Sequence, residues 1–365
     1  MDSDLAYLVL NMLPGIGPVT VRKLLARFDS AAAILQEDPA RLQTVVSERI
    51  AQTLAHWEDH VDLDQELGKV EAMGAQLITW DSESYPPLLR EIHDPPIILY
   101  MRGTLLERDQ HALAVVGTRK MSSYGRETSR MLSFQLARAG YTIVSGLARG
   151  IDTAAHEGAL AAKGRTIAVL GSGLSKLTPA ENKPLAEKIV QNGAVISQFP
   201  MDYNADRQSF PIRNRIVSGM SRGILVVEGD RNSGAMITAN QALEQGRQVF
   251  AVPGQIDKPA ATGPNTLIRD GATLVTGAED ILEELGMLQF DGDTQEKKPE
   301  PVLPQVELEG EEKVVYEALT DTPMGIDELV GKTDLPSPTL SSTLLRLEMK
   351  RLVRQLPGVR FEKLI

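Results

Sequence analysis

The chain has 365 residues, 42% of them hydrophobic, with five histidines, no cysteine and a net charge of −11. That length calls for two or three globular domains, and the missing cysteines exclude disulfides, thiolate catalysis and thiolate-held zinc, so neither a metal site nor a cofactor is expected. The acidic balance excludes a general polyanion binder and confines any nucleic-acid contact to a local basic patch, while an acidic N-terminus, MDSDLAYLVLNMLPG, and the lack of a long apolar run predict a cytoplasmic chain away from the membrane.

Residues 1–74 read as a helical domain. Within LPGIGPVTVRKLLARF, residues 13–28, Gly15 and Gly17 flank Ile16, and Pro18 opens a helix with Val21, Leu24 and Leu25 on one face. The stretch resembles a helix-hairpin-helix, whose turn amides would touch a nucleic-acid phosphate; a connection that only packs is the alternative. Acids between Glu58 and Glu71 make the next helix a poor DNA surface. After it come the strand-like AQLITW, a loop with Pro86, Pro87, Pro95 and Pro96, and the apolar run IILYMRG. The prolines forbid a continuous helix and predict an extended strap with a packing role.

From Leu113 to about Leu285, short apolar runs alternate with amphipathic ones. Strands are expected at 113–116, 141–146, 165–173, 194–200, 223–229 and 248–254, and helices at 125–139, 151–163, 182–191, 210–220 and 234–246. That rhythm predicts an α/β fold with a doubly wound, mainly parallel sheet, whose ligands gather outside the carboxyl ends of the strands. The first junction, LAVVGTRKMSSYG, joins a buried strand to a phosphate-type loop. Gly117 would let the chain turn, with backbone amides and the Thr118 hydroxyl facing an anion, Arg119 above it, and a helix N-terminus close by.

In the second junction, Ser145 to Leu160, Gly146 and Gly150 bracket Arg149, a guanidinium suited to phosphate. Asp152 and His156 are four apart, as in an acid–base or metal pair or in a helix-stabilising hydrogen bond. The third, Gly171-Ser172-Gly173, lacks the rest of a dinucleotide fingerprint and disfavours a nicotinamide or flavin enzyme. In the fourth, SFPIRNRIVSGMSRG, Arg213, Arg215 and Arg222 fall within ten positions without an acid between them. Arg213 and Arg215 would diverge on a helix, one toward ligand and the other toward a carboxylate such as Glu228. Phe210 is either a packing residue or a platform for a base, a contact contributing roughly 1–3 kcal/mol. The fifth, with Ser233 and Gly234 ahead of a helix, repeats the N-terminal anion site.

The ordered set VGTR, SGLARGID, GSGL, FPIRNRI, SGAMITA, EQGR, VFAVPG and GPN, over about residues 80–285, resembles the DNA-processing protein A family, DprA or Smf. The resemblance implies an extended Rossmann domain, residues 75–286, that binds single-stranded DNA, forms homodimers and loads RecA recombinase in natural transformation, with no catalysis. It makes Gly117, Thr118 and Arg119 the phosphate loop and Arg149 a DNA contact, and assigns Arg213, Asn214, Arg215, Ser233 and Gly234 to the same groove as Ser145, Gly146 and Phe210. Two departures, GSGLSKLTPAEN without the usual GLD and Tyr-Pro and Ile212 where a second arginine is common, put one edge of that groove in doubt.

Residues 287–308 mix proline, glycine and charge, as a flexible linker would. Residues 309–365 resemble the small winged-helix domain that ends many members of that family. Arg346, Lys350, Arg351 and Arg354 would form a basic face on its third helix and exit, for DNA or for a protein partner. Two other readings remain at this point. One is a nucleotide-processing enzyme of the phosphoribohydrolase type, whose PGGxGTxxE loop is absent here; the other is an interaction scaffold that has lost its DNA site.

Overall fold

The structure, a computed structural model, describes residues 2–286, 310–319, 324–333, 335–349, 352–356 and 360–363. The chain forms two compact units, residues 1–289 and 290–365.

In the first unit nine strands make one sheet: β1 (Gln76–Thr79), β2 (Ile98–Gly103), β3 (Ala112–Val116), β4 (Thr142–Ser145), β5 (Thr166–Val169), β6 (Gly193–Ser197), β7 (Gly223–Val226), β8 (Gln248–Ala251) and β9 (Thr273–Leu274), in the spatial order 1-2-6-5-4-3-7-8-9. From β6 to β9 all pairs are parallel. Consecutive apolar residues suit such strands because both faces are covered, and all five residues of β3 are buried. One face packs Leu113, Val115, Ile143, Ile151 and Leu225 together, and the other packs Ala114, Val116, Val144, Ile224 and Val226. Successive strands run outward from β3 through β4, β5 and β6 on one side, and from β7 through β8 and β9 on the other. The order therefore reverses between β3 and β7, where doubly wound sheets bind ligands.

The expected strap is more than packing: β1 pairs antiparallel with β2, and β2 antiparallel with β6, so the segment extends the sheet. Between these strands one helical turn, Pro87–Arg90, starts at a proline, as a first turn tolerates.

Helices Ser3–Met12, Pro18–Leu25, Ala31–Gln36, Pro39–Leu42, Glu48–Ala55 and Leu63–Ala72 precede the sheet. Their apolar faces share a core with Ile98 and Tyr100 of β2, Ala168 of β5 and Val195 of β6. Polar contacts cross the same junction: the Tyr7 hydroxyl donates to Asp81 (2.7 Å), and the Met201 amide donates to the buried Glu66 carboxylate (2.7 Å). His56 and His60, four apart in the sequence, flank a single 3₁₀ turn, Trp57–Asp59. Among the described residues no group of three potential metal ligands comes together, and no helix is long and apolar enough to cross a membrane.

In the second unit, helices Glu311–Ala318, Ile326–Thr333 and Ser337–Met349 pack with the strands Met324–Gly325, Val353–Leu356 and Arg360–Lys363 around Leu329, Leu340, Leu344, Leu347 and Phe361. The expected linker, 287–308, lies outside the described residues.

Candidate nucleic-acid interface

A groove opens at the carboxyl ends of β3 and β4, beside the reversal point. It has two adjoining lobes. The narrower, about 330 Å³, is lined by Gly117, Thr118, Asp152, Asn214, Ser233 and Gly234 among others. The wider, about 510 Å³, is lined by Lys120, Gly146, Arg149, Gly171 and Ala180 among others. Arg119, Ala148, Phe210 and Arg213 border both.

Helix Ser209–Gly219 supplies Phe210 and Arg213. The Arg119 guanidinium lies over the Phe210 ring, 4.8 Å from its centroid, and among the described residues it makes no ion pair. This stacking leaves an exposed cation held by an aromatic face. Arg213 forms the floor. Only 5% exposed, it faces the Asp152 carboxylate at 4.0 Å, and its Nε has no partner. Gly146 makes room for it, since a Cβ there would lie 1.2 Å from Arg213 Nη1. Asp152 Oδ2 also accepts the amides of Gly146 (3.1 Å) and Ala148 (3.3 Å). Burial pushes the Asp152 carboxyl up, against the opposing pull of Arg213 and those amides; burial likewise lowers Arg213.

Asp152 and His156 are not paired. The buried His156 Nδ1 bonds the Thr166 hydroxyl at 2.6 Å, and burial, followed by the Arg213 charge, depresses its pKa to about 3. An imidazole bonded to Thr166 and held neutral at ordinary pH cannot serve Asp152 as an acid–base partner, so the spacing reflects packing.

The expected phosphate loop is only partly available. The Thr118 amide donates to the Glu228 carbonyl (2.7 Å), and the Lys120 amide donates to the Thr118 hydroxyl (3.2 Å). The helix that follows, Ser123–Arg138, is already supplied with an anion. The buried Glu228 carboxylate accepts the Ser122 amide (2.9 Å) and hydroxyl (2.5 Å), and Gly125 leaves the space it fills. Gly117 does not take a positive φ; its missing side chain admits Ile151 and the Glu228 carbonyl. What the loop offers a ligand is chiefly the side chains of Arg119 and the exposed Lys120.

Two expected groove residues point elsewhere. Arg215, one helical half-turn from Arg213, is buried and donates to the Asp94 carbonyl and to Gln198 Oε1 (2.5 Å), with the Asp94 carboxylate 3.2 Å from its Nε. It ties the β1–β2 segment to the sheet, and its carboxylate is Asp94 rather than Glu228. Ser145 is buried with its hydroxyl donating to the Val115 carbonyl (2.6 Å). Arg222 lies at the opposite, amino end of β7, where its amide donates to the Ala112 carbonyl.

Ser233 caps helix Gly234–Glu244 by position only: its hydroxyl is buried without a partner, and Asn214 Nδ2 reaches the Gly234 carbonyl at 3.4 Å. Arg149 is exposed and forks onto Glu181. Nothing in the local sequence marked Glu181, because it pairs with a residue 32 positions away.

Gly15, with φ +77°, and Gly17 shape the turn between helices 3–12 and 18–25 and line neither lobe. In the second unit, Arg346 lies 3.7 Å from Glu311 on its own domain. Lys350 and Arg351 lie outside the described residues, and Arg354 falls in the strand Val353–Leu356 rather than at a helix end.

Comparison with known proteins places this geometry in context. Residues 76–286 match the family model of DNA recombination-mediator protein A, residues 298–359 the DprA winged helix domain, and residues 7–55 a SAM-like helix-hairpin-helix tandem. Protein Smf of Synechocystis sp. is 33% identical over 99% of both chains, and protein Smf of Escherichia coli is 41% identical over 81% of this chain and 79% of its own. The X-ray structure of DNA processing protein A from Streptococcus pneumoniae superposes with a TM-score of 0.70 at 33% identity, covering 80% of this chain and 99% of that one. A structure of DNA processing protein A from Helicobacter pylori, concerned with its single-stranded DNA binding mode, superposes with a TM-score of 0.53 at 29% identity, covering 58% and 95%.

Proposed function

From the membership of this chain in the DNA recombination-mediator protein A family, we propose that it binds single-stranded DNA in the two-lobed groove and acts there as a recombination mediator without altering the strand. One observation carries the reading: at the reversal point of the sheet an unpaired guanidinium, Arg119, lies on an aromatic ring above a second, buried guanidinium, Arg213. Phosphates seek the cations, and bases stack on flat faces without regard to sequence. Gly146 contributes by seating Arg213, while Ser233, Gly234 and Asn214 form the narrow wall. Residues 75–286 act as the binding domain, with the helical residues 1–74 docked on it, a linker at 287–308 and a winged helix at 309–365.

The family resemblance adds delivery of the strand to RecA recombinase in natural transformation, and a homodimer. Support for pairing of two copies comes from the short edge strand β9, where Leu274 is 44% exposed, and from Ile256 in the loop after β8, 94% exposed; an apolar unpaired edge calls for a cover. An enzymatic role would need a free carboxylate or an activated nucleophile in the groove; Asp152 is engaged with two amides and Arg213, and the Ser233 hydroxyl has no hydrogen-bonded base beside it.

The test is fluorescence anisotropy with labelled oligo-dT. Binding should weaken steeply with salt, Arg119→Glu should remove most of it, and nucleoside monophosphates, NAD and ATP should be recovered intact. Undiminished binding by Arg119→Glu at moderate salt would sink the groove assignment.

A further inference from the structure

Arg149 stands at the wide lobe of the groove, and its anion partner comes from the protein. Its Nε and Nη2 each donate at 2.6 Å to one carboxylate oxygen of Glu181. This two-point fork matches the non-bridging oxygens of a phosphodiester as well as it matches a carboxylate. Both side chains are more than half exposed, 62% and 54%, so an incoming anion can reach the pair.

The segment that presents Glu181 is anchored from below. Asn182 Nδ2 donates to the Leu147 carbonyl (2.8 Å) and to the Thr153 hydroxyl (3.0 Å), tying this segment to the turn after β4 that carries Arg149. The fork also holds the Glu181 carboxyl below its ordinary range, which keeps it ionised. Other cations at the groove differ: Arg213 has a buried partner in Asp152, and Arg119 has a ring beneath it. Arg149 is therefore the groove cation whose counter-charge is a surface carboxylate that can be exchanged.

We propose that Glu181 occupies the seat of a DNA phosphate, and that a strand entering the groove displaces its carboxylate from Arg149. This rests on the reading of the groove as a single-stranded DNA site. The exchange makes Glu181 a specificity-determining residue. A lone phosphate or mononucleotide that replaces the carboxylate gains little, since one anion leaves as another arrives. A strand gains at Arg119 and Phe210 in the same event, so the groove admits polymers in preference to small anions.

Glu181→Gln and Glu181→Asp separate displacement from simple repulsion. Both side chains of the pair are exposed, so the variants keep the fold, which circular dichroism verifies. Glutamine removes the charge; aspartate keeps the charge but is one methylene too short to fork onto Arg149. By anisotropy with oligo-dT at moderate salt, both variants should bind roughly two- to fivefold more tightly than wild type, the worth of one exposed ion pair. Glu187→Gln, which removes a comparable exposed charge paired with Arg102 and lining neither lobe, should bind as wild type does. Competition by thymidine monophosphate should become detectable at lower concentration in Glu181→Gln. The proposal is overturned if Glu181→Asp binds like wild type while Glu181→Gln tightens, which is repulsion alone, or if neither variant gains. Failure of Arg119→Glu to lose binding would instead overturn the groove itself, so the two ideas fail separately.

Discussion

Replacing Gly146 with alanine should be costly, because the added methyl group meets a buried guanidinium. The new Cβ would lie 1.2 Å from Arg213 Nη1 and 2.3 Å from its Cζ. Ordinary contact begins at 3.4 Å, so the guanidinium has to retreat by about 2 Å. That retreat moves a side chain only 6% exposed away from the Asp152 carboxylate it faces. Lengthening that 4.0 Å separation to about 6 Å weakens the attraction from roughly 4 to roughly 3 kcal/mol at an effective dielectric of 20, and overpacking adds about 1–3 kcal/mol. The expected loss is thus about 2–4 kcal/mol. Urea titration followed by Trp57 and Trp80 fluorescence reads it in the unit that contains both tryptophans. Arg213→Ala provides the control, since without the guanidinium the methyl group has no clash and the Gly146→Ala penalty should fall below about 1 kcal/mol. An equal penalty in both backgrounds would refute the steric account.

Two other outcomes follow from the buried groups. The pKa of His156, about 3 in the fold, lies below its unfolded value near 6.5, so the unfolded chain binds the extra proton between those values and stability falls as pH drops below about 6.5. Between pH 7 and pH 5 that single group should remove about 2 kcal/mol, and His156→Gln should flatten this part of the stability profile whatever its offset at pH 7. Arg215→Met should cost about 2–4 kcal/mol through its bonds to Asp94 and Gln198, yet leave the oligo-dT affinity of the folded protein unchanged. A matching loss of affinity would return Arg215 to the groove.

The parallel part of the sheet was legible because strands buried on both faces must be continuous apolar runs, as Leu113 to Val116 and Ile224 to Val226 are. The antiparallel extension was not, because the pairing of Gln76–Thr79 with β2 depends on partners 19 to 25 residues away, and its flanking prolines dominate the local pattern. The same limit governs the site. That Arg213 and Arg215 diverge follows from a helical rotation of roughly 200° for two residues, but which of them faces ligand depends on Asp152 and Asp94, both remote in sequence. Gly117 reads as a turn residue and Gly146 as one of two glycines bracketing Arg149; in the fold each is small because something else has to come close. Asp152 with His156 gave a false pair, since spacing shows which residues share a helix face and not which partners that face meets.

Three carboxylates explain why a region so rich in anion-binding signals sits in an acidic protein. Glu228 takes the helix N-terminus that follows β3, Asp152 lies beneath Arg213, and Glu181 takes the Arg149 fork. The first two are buried and remain with the fold; the third is exposed. On the proposed reading, a strand entering the groove meets three exposed cations, Arg119, Lys120 and Arg149, rather than a cradle of free amides. On single strands each neutralised phosphate contributes a slope of about −0.7 to the logarithm of affinity against the logarithm of salt, so three contacts predict a slope near −2. A measured slope steeper than about −4 would mean that the strand leaves this groove and runs over cations elsewhere on the molecule, and the assignment of Arg119, Lys120 and Arg149 as its principal contacts would not stand.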